Sequence, residues 1–162
     1  LRRETSGEVL WSAADRGRYA TDASIYQVEP VGVLVPKTAE DVAAAMAICR
    51  EEGVPVLPRG GGTSQCGQTV NRALVLDCTA HLRRVLHVEG DTARVEPGIS
   101  LGALNDALKP LGYFFPVDPS TWARCTIGGM AGNNSCGSKS IRYGLMADNV
   151  RAIDAILPDG SR

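Results

Sequence analysis

Aromatic residues make up only 5% of this 162-residue chain, histidine occurs twice, and neither sign of charge predominates. Each scarcity removes a class of function. Lys and Arg number 17 against 18 Asp and Glu, a net charge of −1, which excludes the broad basic footprint of a nucleic-acid binder. No apolar run approaches the roughly 18 residues of a membrane helix, and no charged-then-apolar leader opens the chain, so no transmembrane segment is expected. His81 and His87 have no Ser, Asp or metal-ligating constellation around them, and neither is assigned a catalytic role. His87 alternates with Leu86 and Val88 and is expected to face solvent, away from them.

The five cysteines, Cys49, Cys66, Cys78, Cys125 and Cys136, are odd in number and lack a C-x-x-C pair. That excludes a disulfide framework and a zinc, iron–sulfur or other metal site within these residues, and a reducing cytoplasmic setting is expected. Cys49, on an apolar helical stripe, and Cys78, ending an apolar run, read as core residues. Cys125 reads as packing, and Cys66 and Cys136 as small buried side chains. There is no internal repeat, low-complexity tract or linker.

What is present suits a globular domain with a real core: 44% apolar and 22% charged residues. Two places carry the chemistry. Arg59-Gly60-Gly61-Gly62-Thr63-Ser64-Gln65-Cys66-Gly67 follows an apolar run, Val54 to Leu57, that reads as a strand. Its glycines adopt φ > 0 freely and offer amides with no Cβ in the way, the material of an anion-binding nest. Thr63 and Ser64 add hydroxyls, and Arg59 a permanent charge at the entrance. A flexible surface turn is the alternative reading. A second glycine- and asparagine-rich segment, Thr126-Ile127-Gly128-Gly129-Met130-Ala131-Gly132-Asn133-Asn134-Ser135-Cys136-Gly137, favours one extended phosphate-bearing ligand reached by two loops. The first loop lacks the terminal Gly-Lys-Ser/Thr of a P-loop, and Gln65 stands where a G-x-G-x-x-G pattern needs its third glycine.

The remaining pattern alternates strands and helices. Gly32–Val35 is a strand; Thr38 caps a helix with Asp41 at its third position, and Val42, Ala45, Met46 and Cys49 line one helical face. Gly53 ends that helix. The β–α–β unit delivers the glycine loop at the carboxyl end of its second strand, where ligands gather in open α/β sheets. Ala73–Cys78 is a third strand, and Val85–Val88 and Thr92–Glu96 form a hairpin about Gly90. Leu101, Leu104, Leu108 and Leu111 mark a helix capped by Ser100, and Arg151–Leu157 reads as a last strand. Asp15 and Asp22 fall in a stretch read as solvated, and Trp11 and Trp122 either pack or line a channel.

Together with Ile141-Arg142-Tyr143-Gly144, the two glycine-rich segments resemble the FAD-binding domain of the vanillyl-alcohol oxidase / p-cresol methylhydroxylase superfamily. Within it they are most similar to the D-lactate dehydrogenase and glycolate oxidase branch of FAD-linked oxidases. The run Gly128 to Gly137 is similar to members fused to an iron–sulfur segment. The resemblance spans about Pro30 to Arg162 and implies an α+β, two-lobed FAD-binding domain of the p-cresol methylhydroxylase type, its first β-α-β lobe complete and its second partial. Residues 1–29 are expected to pack on the flavin domain of residues 30–162, a C-terminally incomplete fragment of a longer enzyme that is inactive alone.

The resemblance also implies which residues meet the cofactor. Arg59, Gly60, Gly61, Gly62, Thr63 and Ser64 serve the FAD pyrophosphate, and Pro119, Thr126, Ile127, Gly128, Gly129, Asn133, Asn134 and Gly137 serve the flavin and ribityl chain. Relatives that bind flavin covalently carry His where this chain has Thr63, so non-covalent FAD is expected. The implied reaction is hydride transfer from a small 2-hydroxy acid (D-lactate, glycolate or D-2-hydroxyglutarate) to flavin N5. Electrons would then pass to a quinone, a cytochrome or an iron–sulfur segment, and the full-length enzyme would be cytoplasmic or peripheral to a membrane. The Gly128-Gly129 pair equally suits UDP-N-acetylenolpyruvoylglucosamine reductase, whereas Ile141 to Gly144 favours the hydroxy-acid branch. A non-catalytic flavin- or nucleotide-binding module is the other open class.

Overall fold

In the computed structural model, which describes residues 1–162, the chain opens with a strand, β1 (Glu8–Leu10), and a short helix, α1 (Ala13–Arg18). Strand β2 (Gly32–Val35) follows, every residue of it buried. That burial explains its unbroken apolar run, since a strand covered on both faces has no polar alternation. Helix α2 (Ala39–Glu51) begins at the expected place: Thr38 accepts from the Asp41 amide at 3.2 Å, and Asp41 accepts from the Thr38 amide at 3.2 Å. Gly53, at φ 64°, ends it.

Strand β3 is Val56–Arg59, two residues later than the apolar run suggests. The Val54 amide still ties back to the Cys49 carbonyl, at 2.8 Å, and so belongs to the helix exit. The strand order β1-β2-β4-β3, with β4 at Leu74–Asp77, puts β3 at an edge. Pro58, which has no N–H to give a ladder, is tolerated there. Strands β2, β4 and β3 are parallel, and β1 pairs antiparallel with β2. One face of the sheet packs Leu34, Leu74 and Leu76 against Ala45 and Cys49 of α2. The other face joins Val33, Val35 and Val75 with Leu10, Tyr19 and Leu57.

The second lobe is built on the hairpin β5 (Val85–Glu89) and β6 (Thr92–Val95), turned at Gly90 with φ 56°. A register shift between Val85 and His87 breaks the simple alternation, leaving both Leu86 and His87 exposed while Val88 packs inward. Helix α3 (Leu101–Leu108) is capped by Ser100 and runs into a 3₁₀ turn, Lys109–Leu111. Leu111 is therefore exposed rather than part of the helical face. Glu96, just past β6, is buried and takes three hydrogen bonds from the Arg84 amide and guanidinium, at 2.7–3.1 Å. Leu101, Val117, Cys125, Met130 and Met146 form the core of this lobe.

The chain is thus α+β with two lobes, and the structure corrects several expectations. Arg151–Leu157 pairs with no strand, and Ile153 and Leu157 are exposed; alternation alone makes no strand where no neighbour supplies a ladder. The second glycine-rich segment is largely helical: α4 spans Ile127–Gly132, and two further turns, α5 (Ser140–Tyr143) and α6 (Met146–Asn149), follow. Cys66 and Cys136 are exposed, not buried, and Cys78 is half-buried, its thiol pushed up to about 11 by burial. Ser12 caps α1, its hydroxyl accepting from the Asp15 amide, while the Asp15 carboxylate pairs with Arg18; Asp22 is tied into the glycine loop, so neither aspartate lies in a merely solvated stretch. No helix is long and apolar enough to cross a membrane.

Candidate functional site

The glycine loop leaves the carboxyl end of β3 and lies against the second lobe. A Cβ on Gly60 would strike the Thr126 side chain, and one on Gly61 would strike the carbonyl of Arg124. Gln68 Nε2 donates to Asn133 Oδ1 at 2.8 Å, closing the loop's far side onto the same segment. The structure therefore brings the two sequence segments together, and two of the three successive glycines are required by that approach.

The amides of Gly60, Gly61, Gly62, Thr63, Ser64 and Gln65 donate to no protein acceptor. Gly62 sits at φ 64°, and its carbonyl accepts from the Ala23 amide at 3.0 Å. Water can serve such partly exposed groups, but on a glycine-rich turn with no Cβ in the way, six in succession form a donor-rich surface suited to an anion. None of residues 60–69 is fully buried, which leaves that surface reachable. Thr63 is half-buried and its hydroxyl makes no hydrogen bond, whereas Ser64 Oγ bonds Gln68 and accepts from the Cys66 amide at 3.2 Å.

Arg59 departs from its expected role as a free charge at the entrance. Its guanidinium donates to the carbonyls of Tyr19 (3.2 Å), Thr69 (3.0 Å) and Thr21 (2.7 Å), and lies 5.4 Å from the centre of the Tyr19 ring. Tyr19 is itself anchored, its hydroxyl donating to Asp77 Oδ2 at 2.7 Å; burial and that carboxylate push its pKa above the usual value.

In the second segment, Thr126 is buried and N-caps α4, its Oγ1 accepting from the Gly129 amide at 3.3 Å. Gly128 packs on Pro97, with its amide donating to the Pro97 carbonyl at 2.8 Å. Ile127 is half-buried against the core of the second lobe. Asn133 is exposed and shared between Gln68 and the Gly129 carbonyl. Asn134 adopts φ 44° and accepts from the Ala147 amide at 2.9 Å, a structural task that holds α6. Gly137 abuts the Asp118 backbone, where no Cβ would fit. Asp118 in turn accepts from the Lys139 amide and Ser138 hydroxyl, both at 2.9 Å; the Lys139 N–H above all holds its carboxyl below the usual range. Pro119 follows, and its carbonyl accepts from the Trp122 amide at 3.0 Å.

Two shallow clefts flank α4. One, of about 160 Å³, is lined by Thr79, Arg83, Ser100, Arg124 and Thr126. The other, of about 450 Å³, lies between Ala131, Asn134, Met146, Val150 and Ile153. Arg142 lies over the Tyr143 ring at 5.2 Å, and Tyr143 meets Phe114 edge-on at 5.9 Å. Both histidines are exposed, His87 beside Glu89 at 3.7 Å.

Sequence reasoning missed Asp22, Thr69, Gln68 and Asp118 as members of this framework. The Asp22-Ala23-Ser24 turn, with the Ser24 amide on Asp22 Oδ1 at 2.8 Å, had a local signal in its Asp and Ser. The Gln68–Asn133 bond, across 65 residues, had none.

Comparison with known proteins agrees with this geometry. The FAD binding domain family matches residues 30–162. The chain is 38% identical over 160 residues to the D-2-hydroxyglutarate dehydrogenase of Escherichia coli (strain K12), covering 96% of this chain and 16% of that protein. It is 34% identical to the glycolate oxidase subunit GlcD of Bacillus subtilis (strain 168), covering 97% of this chain and 35% of the relative. A mitochondrial cytochrome-type D-lactate dehydrogenase of Arabidopsis thaliana is 40% identical over 81% of this chain and 23% of its own length. The chain thus spans between a sixth and about a third of these relatives. Among solved structures, an alkyldihydroxyacetonephosphate synthase superposes with a TM-score of 0.85 at 22% identity, over 99% of this chain and 31% of that one. Physcomitrella patens BBE-like 1 gives 0.83 at 23%, over 98% and 35%. At those identities the likeness is one of fold. The chain belongs to the FAD binding domain family of FAD-linked oxidases.

Proposed function

We propose that residues 30–162, with residues 1–29 packed on them, hold the FAD of a flavin-dependent 2-hydroxy-acid dehydrogenase of the D-2-hydroxyglutarate, glycolate or D-lactate type. The observation that carries this reading is the row of six unengaged amides, Gly60 to Gln65, on a glycine turn set against the Arg124 carbonyl and the Thr126 side chain. Such a row fits a pyrophosphate: donors are plentiful, and the absence of Cβ atoms lets an anion approach the backbone.

FAD, when bound, supplies the two-electron chemistry, accepting hydride from the substrate α-carbon. The protein's part is to bind, orient and exclude water. The amides of Gly60 to Ser64 offset the pyrophosphate charge. Thr126, Ile127, Gly128, Gly129 and Asn133 present α4 and its exit along the same ligand, while Pro119, Asn134 and Gly137 keep the surrounding turns in place. Thr63 presents a hydroxyl, a group unable to join a flavin methyl, so the cofactor is held without a covalent bond. The substrate is a small 2-hydroxy acid, and the electron acceptor a quinone, cytochrome or iron–sulfur segment; the enzyme works in the cytoplasm. The relatives' names support the substrate class, and the two-segment geometry supports the cofactor.

The test is a flavin titration with denaturation. FAD is expected to bind far more tightly than FMN, because two separated segments suit a dinucleotide, and acid precipitation is expected to leave all flavin in the supernatant. Equal affinity for FMN would refute the dinucleotide assignment, and flavin in the pellet the non-covalent one.

A further inference from the structure

Apolar packing does not hold the glycine loop in shape, because no residue from Gly60 to Thr69 is fully buried. Hydrogen bonds from outside it do. The loop leaves β3 at Arg59 and ends at Thr69, and one side chain joins the two: Arg59 Nη1 donates to the Thr69 carbonyl, ten residues on, at 3.0 Å. The same guanidinium holds the carbonyls of Tyr19 and Thr21, at 3.2 and 2.7 Å. From the other side Asp22 Oδ2 accepts from the Thr69 hydroxyl at 2.9 Å and from its amide at 3.4 Å. The Ala23 amide donates to the Gly62 carbonyl at 3.0 Å, and the Tyr26 ring fills the space where a Cβ on Gly67 would stand. These contacts come from residues 19–26 or from Arg59, and the Gln68–Asn133 bond adds one tie to the second lobe.

We infer that Arg59 and Asp22 are positioning residues that clasp both ends of the glycine loop to residues 19–26, and that this clasp, not the charge of Arg59, is what Arg59 contributes to FAD binding. The inference rests on the functional reading above for its ligand and on the contacts here for its geometry. The Arg59 guanidinium reaches three carbonyls from two nitrogens and lies over the Tyr19 ring; an ammonium is compact, tetrahedral and strongly hydrated, and does not reproduce that fork. Lysine therefore keeps the charge and loses the clasp.

Charge and clasp predict opposite results. If Arg59 acts by charge, Arg59→Lys retains affinity, and Asp22→Ala, which removes a carboxylate near a bound anion, tightens binding. If the clasp acts, both variants bind FAD more weakly, by tenfold or more. Asp22→Asn, which keeps an oxygen for Thr69, recovers part of that loss.

The measurements are FAD titration by fluorescence quenching and proteinase K cleavage without flavin, on protein carrying its natural flanking sequence. Faster cleavage between Gly60 and Thr69 in both variants, with the far-ultraviolet spectrum retained, accompanies the weaker binding. Arg59→Lys within twofold of wild type, or Asp22→Ala binding equally or more tightly, overturns the inference. Should Arg59→Lys fail to fold, Asp22→Ala decides. Should the wild type bind no FAD, the functional reading fails separately. The cleavage rates then judge the clasp: an acceleration sustains it and unchanged rates refute it.

Discussion

Substituting Gly61 by alanine adds a methyl at the point where the glycine loop meets the second lobe. Its new Cβ would overlap the Arg124 carbonyl oxygen and lie 2.9 Å from the carbonyl carbon. Backbone offers no rotamer to escape into, so the loop must retreat by about 1 Å to restore ordinary contact. Overpacking of this kind costs about 1–3 kcal/mol, against the roughly 5–15 kcal/mol that holds a domain together, so the protein stays folded. The ligand site suffers more. Hydrogen bonds to a charged acceptor contribute about 1.5–3 kcal/mol each. Pulling two of the six amides out of line therefore loses about 3–6 kcal/mol, or roughly 10²- to 10⁴-fold in affinity at 1.4 kcal/mol per tenfold. A fluorescence titration of Gly61→Ala with FAD, beside a urea melt, measures both terms. A folded variant whose Kd stays within threefold of wild type would refute the assignment of the loop to the pyrophosphate.

Two other predictions address stability. Gly17, inside α1, has nothing within 4 Å of an added Cβ, so Gly17→Ala should raise stability by about 0.5–1 kcal/mol and leave FAD affinity unchanged; a loss in the urea midpoint would show that α1 is misplaced. Asp41 is buried and accepts from the Ser6, Lys37 and Thr38 amides at 2.7–3.2 Å. Burial pushes its carboxyl up, but these donors outweigh that and hold it below the usual range. A depressed folded pKa gives stability that is full above the unfolded value, about 3.9, and is lost as pH falls through the folded one. Asp41→Asn should cost about 1–3 kcal/mol at pH 7 and flatten the loss of stability below pH 4. An unchanged acid limb in that variant would remove Asp41 from the explanation.

Local signals were legible where the deciding physics is local. The Thr38–Asp41 box, the αL residue at Gly53, the Ser100 cap and the turn at Gly90 are each settled within about four residues, and each lies where the sequence puts it. The misses share a different cause. Arg151–Leu157 alternates like a strand but lacks a ladder partner. Ile127–Gly132 carries three glycines, which disfavour a helix by about 1 kcal/mol each, yet Thr126 caps it and Met130 anchors it in the core. Tertiary burial overrode propensity there. Val54–Leu57 slipped by two residues because the helix exit uses the Val54 amide, a bond no apolar count registers.

Glycine in the first loop has two separable causes, and only one concerns the ligand. Gly60 and Gly61 are glycine because Thr126 and the Arg124 carbonyl occupy the space of their Cβ atoms. Gly62 is glycine because its φ is 64° and because the Arg59 Nη2 atom lies 2.8 Å from the place of its Cβ. A protein with those packing demands and no ligand at all would need the same three residues, so the triplet by itself argues only for a tight meeting of two lobes. What packing leaves unexplained is the six amides beside that meeting, from Gly60 to Gln65, with no protein acceptor. Free amides alone do not decide the matter, since those of residues 151–156 also donate to no protein acceptor; the six here stand apart because they lie on a glycine-rich turn at the meeting of two lobes, where no Cβ keeps an anion from the backbone. The argument for a phosphate-bearing ligand therefore rests on the donors the fold leaves free, and the glycines are what permits the two lobes to present them.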